Sequence, residues 1–130
     1  MAAVVQGATV SDDCAVVWNG KRAEVYSISE TKATPESAFD TPAISVAIHG
    51  KRIFMAVGDQ VKVANTQGTV TQTIVFPDVE GRPILVDCNQ RYLAVATDAG
   101  ILKIFDASRD KLKQTHSGRF EDIQTGEIIG

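Results

Sequence analysis

The chain has few of the residues that staple, wire or anchor a protein. Among its 130 residues there are two cysteines, Cys14 and Cys88, far apart and outside any C-x-x-C arrangement. That leaves no disulfide framework and no cysteine-based metal site, and it fits two reduced thiols in a cytosolic compartment. The histidines His49 and His116 are isolated from each other and from any metal-ligand spacing. No apolar run approaches the roughly 20 residues needed to span a bilayer. The start, Met1 to Gln6, lacks the basic and apolar regions of a signal peptide. Basic residues never run longer than Lys21-Arg22 or Lys51-Arg52, and the formal net charge is −3. Nucleic-acid binding needs clustered cations to neutralise phosphates, so that class is not expected.

Catalytic patterns are equally sparse. Gly20-Lys21 and Gly50-Lys51 lack the upstream glycine and following Ser or Thr of a phosphate loop. There is no Gly-x-Ser-x-Gly elbow and no Asn-x-Ser/Thr acceptor site. Asp12-Asp13 could be read as paired carboxylates, but the pair falls where a turn is expected, and turns favour Asp for local reasons. Asp59 and Asp98 align with one another in a hairpin, where the expected role is bonding the turn backbone. No catalytic residue, metal or cofactor is therefore expected.

What the chain does have is a hydrophobic content of 44% against 22% charged residues, the balance of a folded globular protein, arranged as a repeat. A shift of 38 residues carries Val10 onto Ile48, Trp18 onto Ala56, Gly20 onto Gly58 and Val25 onto Val63. A further shift of 39 carries Val46 onto Leu85, Arg52 onto Arg91, Ile53 onto Tyr92 and Phe54 onto Leu93. A two-residue insertion near Ala99-Gly100 then brings Val61 to Leu102 and Val63 to Ile104. Within each copy, short apolar or alternating runs end in turn residues, which is a strand signature. Ile84 to Asp87, Tyr92 to Thr97, Ile101 to Phe105 and Val70 to Phe76 are expected strands. Ser108 to Gln114 is read as a charged loop or edge segment, and helix signals are nearly absent.

Four short strands recurring about every 40 residues is the period of a propeller blade. The fold expected is all-β: a WD40-like β-propeller segment of about three four-stranded blades in an incomplete ring, with copies at about 7–40, 43–78 and 82–118. Three blades fall short of the roughly four to eight that close a ring. The chain is therefore expected to be part of a longer protein, and to be poorly soluble or oligomeric when isolated. Trp18, the only tryptophan, is expected to be partly buried in a strand core. The turn-rich linker Phe76 to Pro83 is the candidate interaction loop, with Asp78, Glu80 and Arg82 as its charged residues, because binding tends to sit on loops of a rigid scaffold.

The segment Thr97 to Asp106 resembles the end of a WD40 repeat, with Phe105-Asp106 where Trp-Asp is usual. The first two copies end Val25-Tyr26-Ser27 and Val63-Ala64-Asn65, and none opens with Gly-His. A closer resemblance is carried by five ordered strings. They are Trp18-Asn19-Gly20-Lys21-Arg22-x-x-Val25-Tyr26, Thr41-Pro42, Gln67-Gly68-Thr69-Val70, Phe76-Pro77-x-x-Glu80-Gly81-x-Pro83, and Leu93 to Arg109 with Phe105-Asp106-x-Ser108-Arg109. In this order they look like the second propeller of the one-forty WD40–TPR subunits of intraflagellar transport complex A. The resemblance implies a non-catalytic scaffold whose partners are other subunits of a large complex of that type. It implies a cytoplasmic protein of the cilium or flagellum and basal body, serving retrograde transport and entry of membrane cargo. It also implies a long C-terminal helical array, which this chain does not contain. Other WD40 scaffolds, such as a vesicle-coat or ubiquitin-ligase adaptor, are the alternative, since fold does not imply function. A propeller hydrolase would need convergent His and acidic residues around a channel, and two histidines with no aligned acidic ring do not supply them.

Overall fold

The computed structural model describes residues 4–120. It contains twelve strands in three antiparallel four-stranded sheets, each built from consecutive strands. Sheet 1 comprises β1 (Gly7–Val10), β2 (Cys14–Trp18), β3 (Arg22–Ile28) and β4 (Ala33–Asp40). Sheet 2 comprises β5 (Ser45–His49), β6 (Arg52–Val57), β7 (Gln60–Ala64) and β8 (Val70–Val75). Sheet 3 comprises β9 (Pro83–Cys88), β10 (Tyr92–Thr97), β11 (Ile101–Asp106) and β12 (Lys113–Arg119). Among the described residues the one helical element is a 3-10 turn at Asp78–Glu80. The segment Ser108 to Gln114 divides into a loop and the start of the edge strand β12.

Each sheet is a blade, and the blades stack side by side. The first strand β5 packs against both β1 and β9, so first strands line the inner edge and fourth strands the outer. The outer strands β4 and β12 are polar and largely exposed, which discourages pairing with another chain. Pro35 sits in outer strand β4 beside a bulge between Val25 and Tyr26, where a missing N–H disturbs no central ladder.

Two apolar clusters hold the stack together. Cys14, Val16, Trp18, Ala23 and Val25 of sheet 1 meet Val46, Ile48, Ile53, Met55 and Ala64 of sheet 2. Ala47, Phe54, Ala56, Val61 and Val63, from the opposite face of sheet 2, meet Val86, Leu93, Val95 and Phe105 of sheet 3. Alternation along a strand does the sorting: Ile53 and Met55 point one way, Phe54 and Ala56 the other. Trp18 is 8% exposed, buried more fully than the partial burial its place in the repeat predicts, and its indole N–H donates to the Ile44 carbonyl at 3.3 Å. Gly7 lies directly opposite Trp18 in the β1–β2 pair, and a Cβ there would collide with the indole ring.

The pairing corrects one feature of the sequence alignment. Between sheets 1 and 2 the shift of 38 holds, because Val16 and Phe54 both face the next sheet. Between sheets 2 and 3 a shift of 39 would place Phe54 on Leu93, yet Phe54 faces forward and Leu93 faces back toward it. Strand pairing makes Ile53 the partner of Ile48, and Leu93 the partner of Cys88, so Ile53 corresponds to Leu93 and Val46 to Val86. The shift is thus 40, and a one-residue slip turns every side chain to the opposite face. The β6–β7 hairpin closes through Val57 and Gln60 around Gly58-Asp59, whereas Asp98-Ala99-Gly100 lie between Thr97 and Ile101. One extra residue, not two, sits in that third hairpin.

Candidate interaction surface

The linker between β8 and β9 runs from Phe76 to Arg82 across the joint of sheets 2 and 3. Pro77 enters at φ −60, and the 3-10 turn closes with Glu80 N–H donating to the Pro77 carbonyl at 2.9 Å and Gly81 N–H to Asp78 at 3.1 Å. Gly81 then takes φ +86, which a side chain would resist. A Cβ at this position would also lie 2.5 Å from Asp98 Oδ1 and 2.7 Å from Ala99 Cβ. The close approach brings the linker against the β10–β11 hairpin.

That hairpin grips the linker through main-chain groups. Arg82 N–H donates to Asp98 Oδ1 at 2.8 Å, Asp98 N–H donates back to the Arg82 carbonyl at 3.0 Å, and the Thr97 hydroxyl donates to the Glu80 carbonyl. Lys103 Nζ lies 2.7 Å from Glu80 Oε1 and 4.9 Å from the centre of the Phe76 ring. The Lys103 and Glu80 side chains are 13% and 25% exposed, so water screens the pair less than it would at an open surface.

The three charged residues of the expected interaction loop therefore divide by role. Glu80 is engaged in the joint. Asp78 and Arg82 are exposed and make no side-chain hydrogen bond or ion pair among the described residues. With Asp59, Phe76, Gly81 and Asp98 they line an open cleft of about 400 Å³. Asp59 comes from the β6–β7 hairpin, so the cleft draws on both sheets. It offers carboxylates, one guanidinium and a ring edge, and its lining contains no Ser, Cys or His. Among the described residues no three His, Cys, Asp or Glu groups converge as metal ligands would. Such a surface suits contact with polar, charged groups of another macromolecule.

Asp98 also corrects an expectation. Its carboxylate holds the preceding linker instead of its own turn, and Thr97 Oγ1 takes the turn role by accepting from Ala99 and Ile101 N–H. Asp59 contributes its main-chain carbonyl, which accepts from Phe76 N–H at 2.8 Å. The residues that sequence reasoning missed here are Thr97 and Lys103. Lys103 looks like an ordinary outward lysine in an alternating strand, and its partner Glu80 lies in the linker, well before it in the chain.

Asp12 and Asp13 are exposed in the turn between β1 and β2, as their position predicts. Both cysteines are free thiols. Burial pushes the Cys88 thiol up to about 11, and its Sγ donates to the Ile48 carbonyl at 3.3 Å, across the sheet 2–sheet 3 joint. Burial and the neighbouring Asp13 raise Cys14 as well. Both thiols therefore stay protonated near neutrality, and neither is the thiolate a nucleophile requires. No helix among the described residues is long and apolar enough to cross a membrane.

The architecture matches solved propeller structures. Kluyveromyces marxianus Hsv2 superimposes with a TM-score of 0.68 at 11% identity over 93% of this chain and 39% of that one. Kluyveromyces lactis Hsv2p gives 0.66 at 10% identity, over 91% of this chain and 38% of the other. The chain thus spans about two fifths of the length of these structures, and the likeness is one of fold. Sequence-family comparison is more specific: the family described as "IFT140 second beta-propeller" matches residues 1–123. With a match over nearly its whole length, on a structure of propeller blades, the chain belongs to the IFT140 second beta-propeller family.

Proposed function

We propose that this chain acts as a non-catalytic protein–protein scaffold within the intraflagellar transport A complex, supporting retrograde ciliary transport and the entry of cargo into the cilium. The observation that carries this reading is the family match over residues 1–123. The joint between sheets 2 and 3 is consistent with it, because a loop clamped by main-chain bonds presents Asp78 and Arg82 on a fixed base. Its partners are other subunits of that complex, and its place of work is the cytoplasm, basal body and cilium or flagellum. Asp78 and Arg82 form the contact, with Glu80 holding the loop that carries them.

The test is affinity capture from ciliated cells, using the protein that carries this propeller. Other intraflagellar transport subunits are expected to co-purify, and their absence overturns the reading. The charge-reversed pair Asp78→Lys with Arg82→Glu is expected to lower that recovery several-fold. Its thermal unfolding should stay unchanged, since neither side chain supports the fold. Undiminished recovery removes the loop from the interface.

A further inference from the structure

The three outer strands are guarded unequally. β4 carries Pro35, Glu36 and Asp40, and β12 carries Lys113, His116 and Arg119. Charge and proline on an edge strand are devices against pairing with another chain. β8, Val70 to Val75, has no charge, no proline and no glycine, and every residue but Gln72 is β-branched. Val70 is 44% exposed and Val75 58%. A short, uncharged, β-branched segment of this kind is suited to pairing with its own copy.

The ladder shows which main-chain groups of β8 stand open. Phe76 N–H donates to the Asp59 carbonyl, and bonded and non-bonded pairs alternate along an antiparallel ladder. Asp59–Phe76 and Val61–Ile74 are therefore bonded pairs, and the N–H and C=O groups of Thr73 and Val75 point away from β7. β8 is the last strand of its sheet, so no strand among the described residues receives them. The Thr71 carbonyl is already taken, by Lys111 Nζ at 2.5 Å.

We propose that a second copy of the protein covers this edge, β8 pairing antiparallel with β8 about a two-fold axis through Ile74. In that register Thr73 exchanges both main-chain bonds with Val75 of the second copy, and Val75 with its Thr73, so each open group is used. Thr71 falls opposite Pro77, which has no N–H to give, and Lys111 already satisfies the Thr71 carbonyl. The ends are complementary too. Lys111 stands beside Thr71 at one end, Asp59 and Asp78 lie past Val75 at the other, and two-fold symmetry brings unlike ends together. An isologous contact closes on itself and stops at two copies. It uses the outer rim of sheet 2 and leaves the stacking faces of all three sheets free, so it suits a longer propeller equally. The proposal goes beyond the ciliary reading and stands or falls apart from it.

The test is made on the whole protein that carries this propeller, bearing Ile74→Cys. Position 74 would meet its own copy as a non-bonded pair, with Cα atoms about 4.5 Å apart and within disulfide reach. Mild oxidation is expected to join the two substituted positions, as identified by peptide mass after digestion. Adding Thr73→Pro removes an outward N–H, leaves the β7 ladder whole, and is expected to lower the yield several-fold. Val70→Cys, off the axis, is expected to give no such link. No link in Ile74→Cys, a link undiminished by Thr73→Pro, or an equal yield from Val70→Cys overturns the proposal. Because Ile74 packs on the core, hydrogen exchange of the unsubstituted protein supplies a second reading. The Thr73 and Val75 amides are expected to exchange more slowly as protein concentration rises, and rates independent of concentration overturn the proposal. Slow exchange at every concentration would mean that a strand of some other origin covers β8.

Discussion

The middle sheet and its two neighbours share a strand plan but differ in what covers them. In sheet 2, Val46 to Ile48 and Ile53 to Ala56 are all buried, on both faces, because a sheet lies on either side. In sheets 1 and 3, strands β2 and β10 alternate strictly between buried and half-buried residues. The same repeat position is therefore continuous apolar core in one sheet and amphipathic in the next. Strand patterns report the neighbours as much as the strand, and a run such as Ile53-Phe54-Met55-Ala56 already marks the sandwiched sheet.

The largest expected effect probes that difference directly. Phe54→Ala is expected to cost about 3–5 kcal/mol and Met55→Ala about 2–5 kcal/mol, since each empties a different joint. Val75→Ala, at a position 58% exposed in the outer strand of the same sheet, should stay within about 0.5 kcal/mol. Denaturant unfolding reads all three, and equal losses at Phe54 and Val75 would break the comparison.

Gly7→Val should come next, at about 1–3 kcal/mol from overpacking against Trp18. A shifted tryptophan emission would show that the ring has moved, and an unchanged spectrum would refute the account. A smaller effect, about 1 kcal/mol, is expected for Lys103→Met in the joint of sheets 2 and 3. A double-mutant cycle with Glu80→Gln isolates the pair, and zero coupling would reduce it to a surface contact.

The smallest effect lies in the turn after β11. The Ser108 hydroxyl and backbone N–H hold Asp106 below the ordinary carboxylate value. A lowered folded value gives stability that is present above the unfolded value and fades as pH falls through the folded one. Ser108→Ala is expected to raise the Asp106 titration in carboxyl NMR, and no change would exclude the hydroxyl as a cause.

Much of the fold was legible in the sequence because repeat spacing and alternation are local. The hairpin at Gly58 and the burial of Trp18 follow from short stretches read in order. The register between sheets 2 and 3 did not, because Arg52 and Arg91 offered a tempting identity that the hydrogen-bond ladder does not honour. Arg52 reaches across to the Ala107 and Asp110 carbonyls, whereas the position matching it in sheet 3 is Tyr92. The interaction loop was legible as a loop. Its division into a held Glu80 and a projecting Asp78 and Arg82 was not, because that depends on Lys103 and Asp98, contributed by a strand and hairpin later in the chain.

The joint between sheets 2 and 3 is bonded directly by Arg52 to the Ala107 and Asp110 carbonyls, by Val86 N–H to the Ser45 hydroxyl and by the Cys88 thiol to the Ile48 carbonyl, while the Arg82–Asp98 and Glu80–Lys103 contacts tie the connecting linker to sheet 3. Gln72 adds a two-way bond with Leu112 near the outer edge. The joint between sheets 1 and 2 has lighter fastenings, Trp18 to Ile44, Ser37 to Thr66 and Ser11 to Gly50. Under mechanical load the two joints would not share strain equally. Sheets 2 and 3 would travel as one stiff plate, and sheet 1 would be the first to shear away.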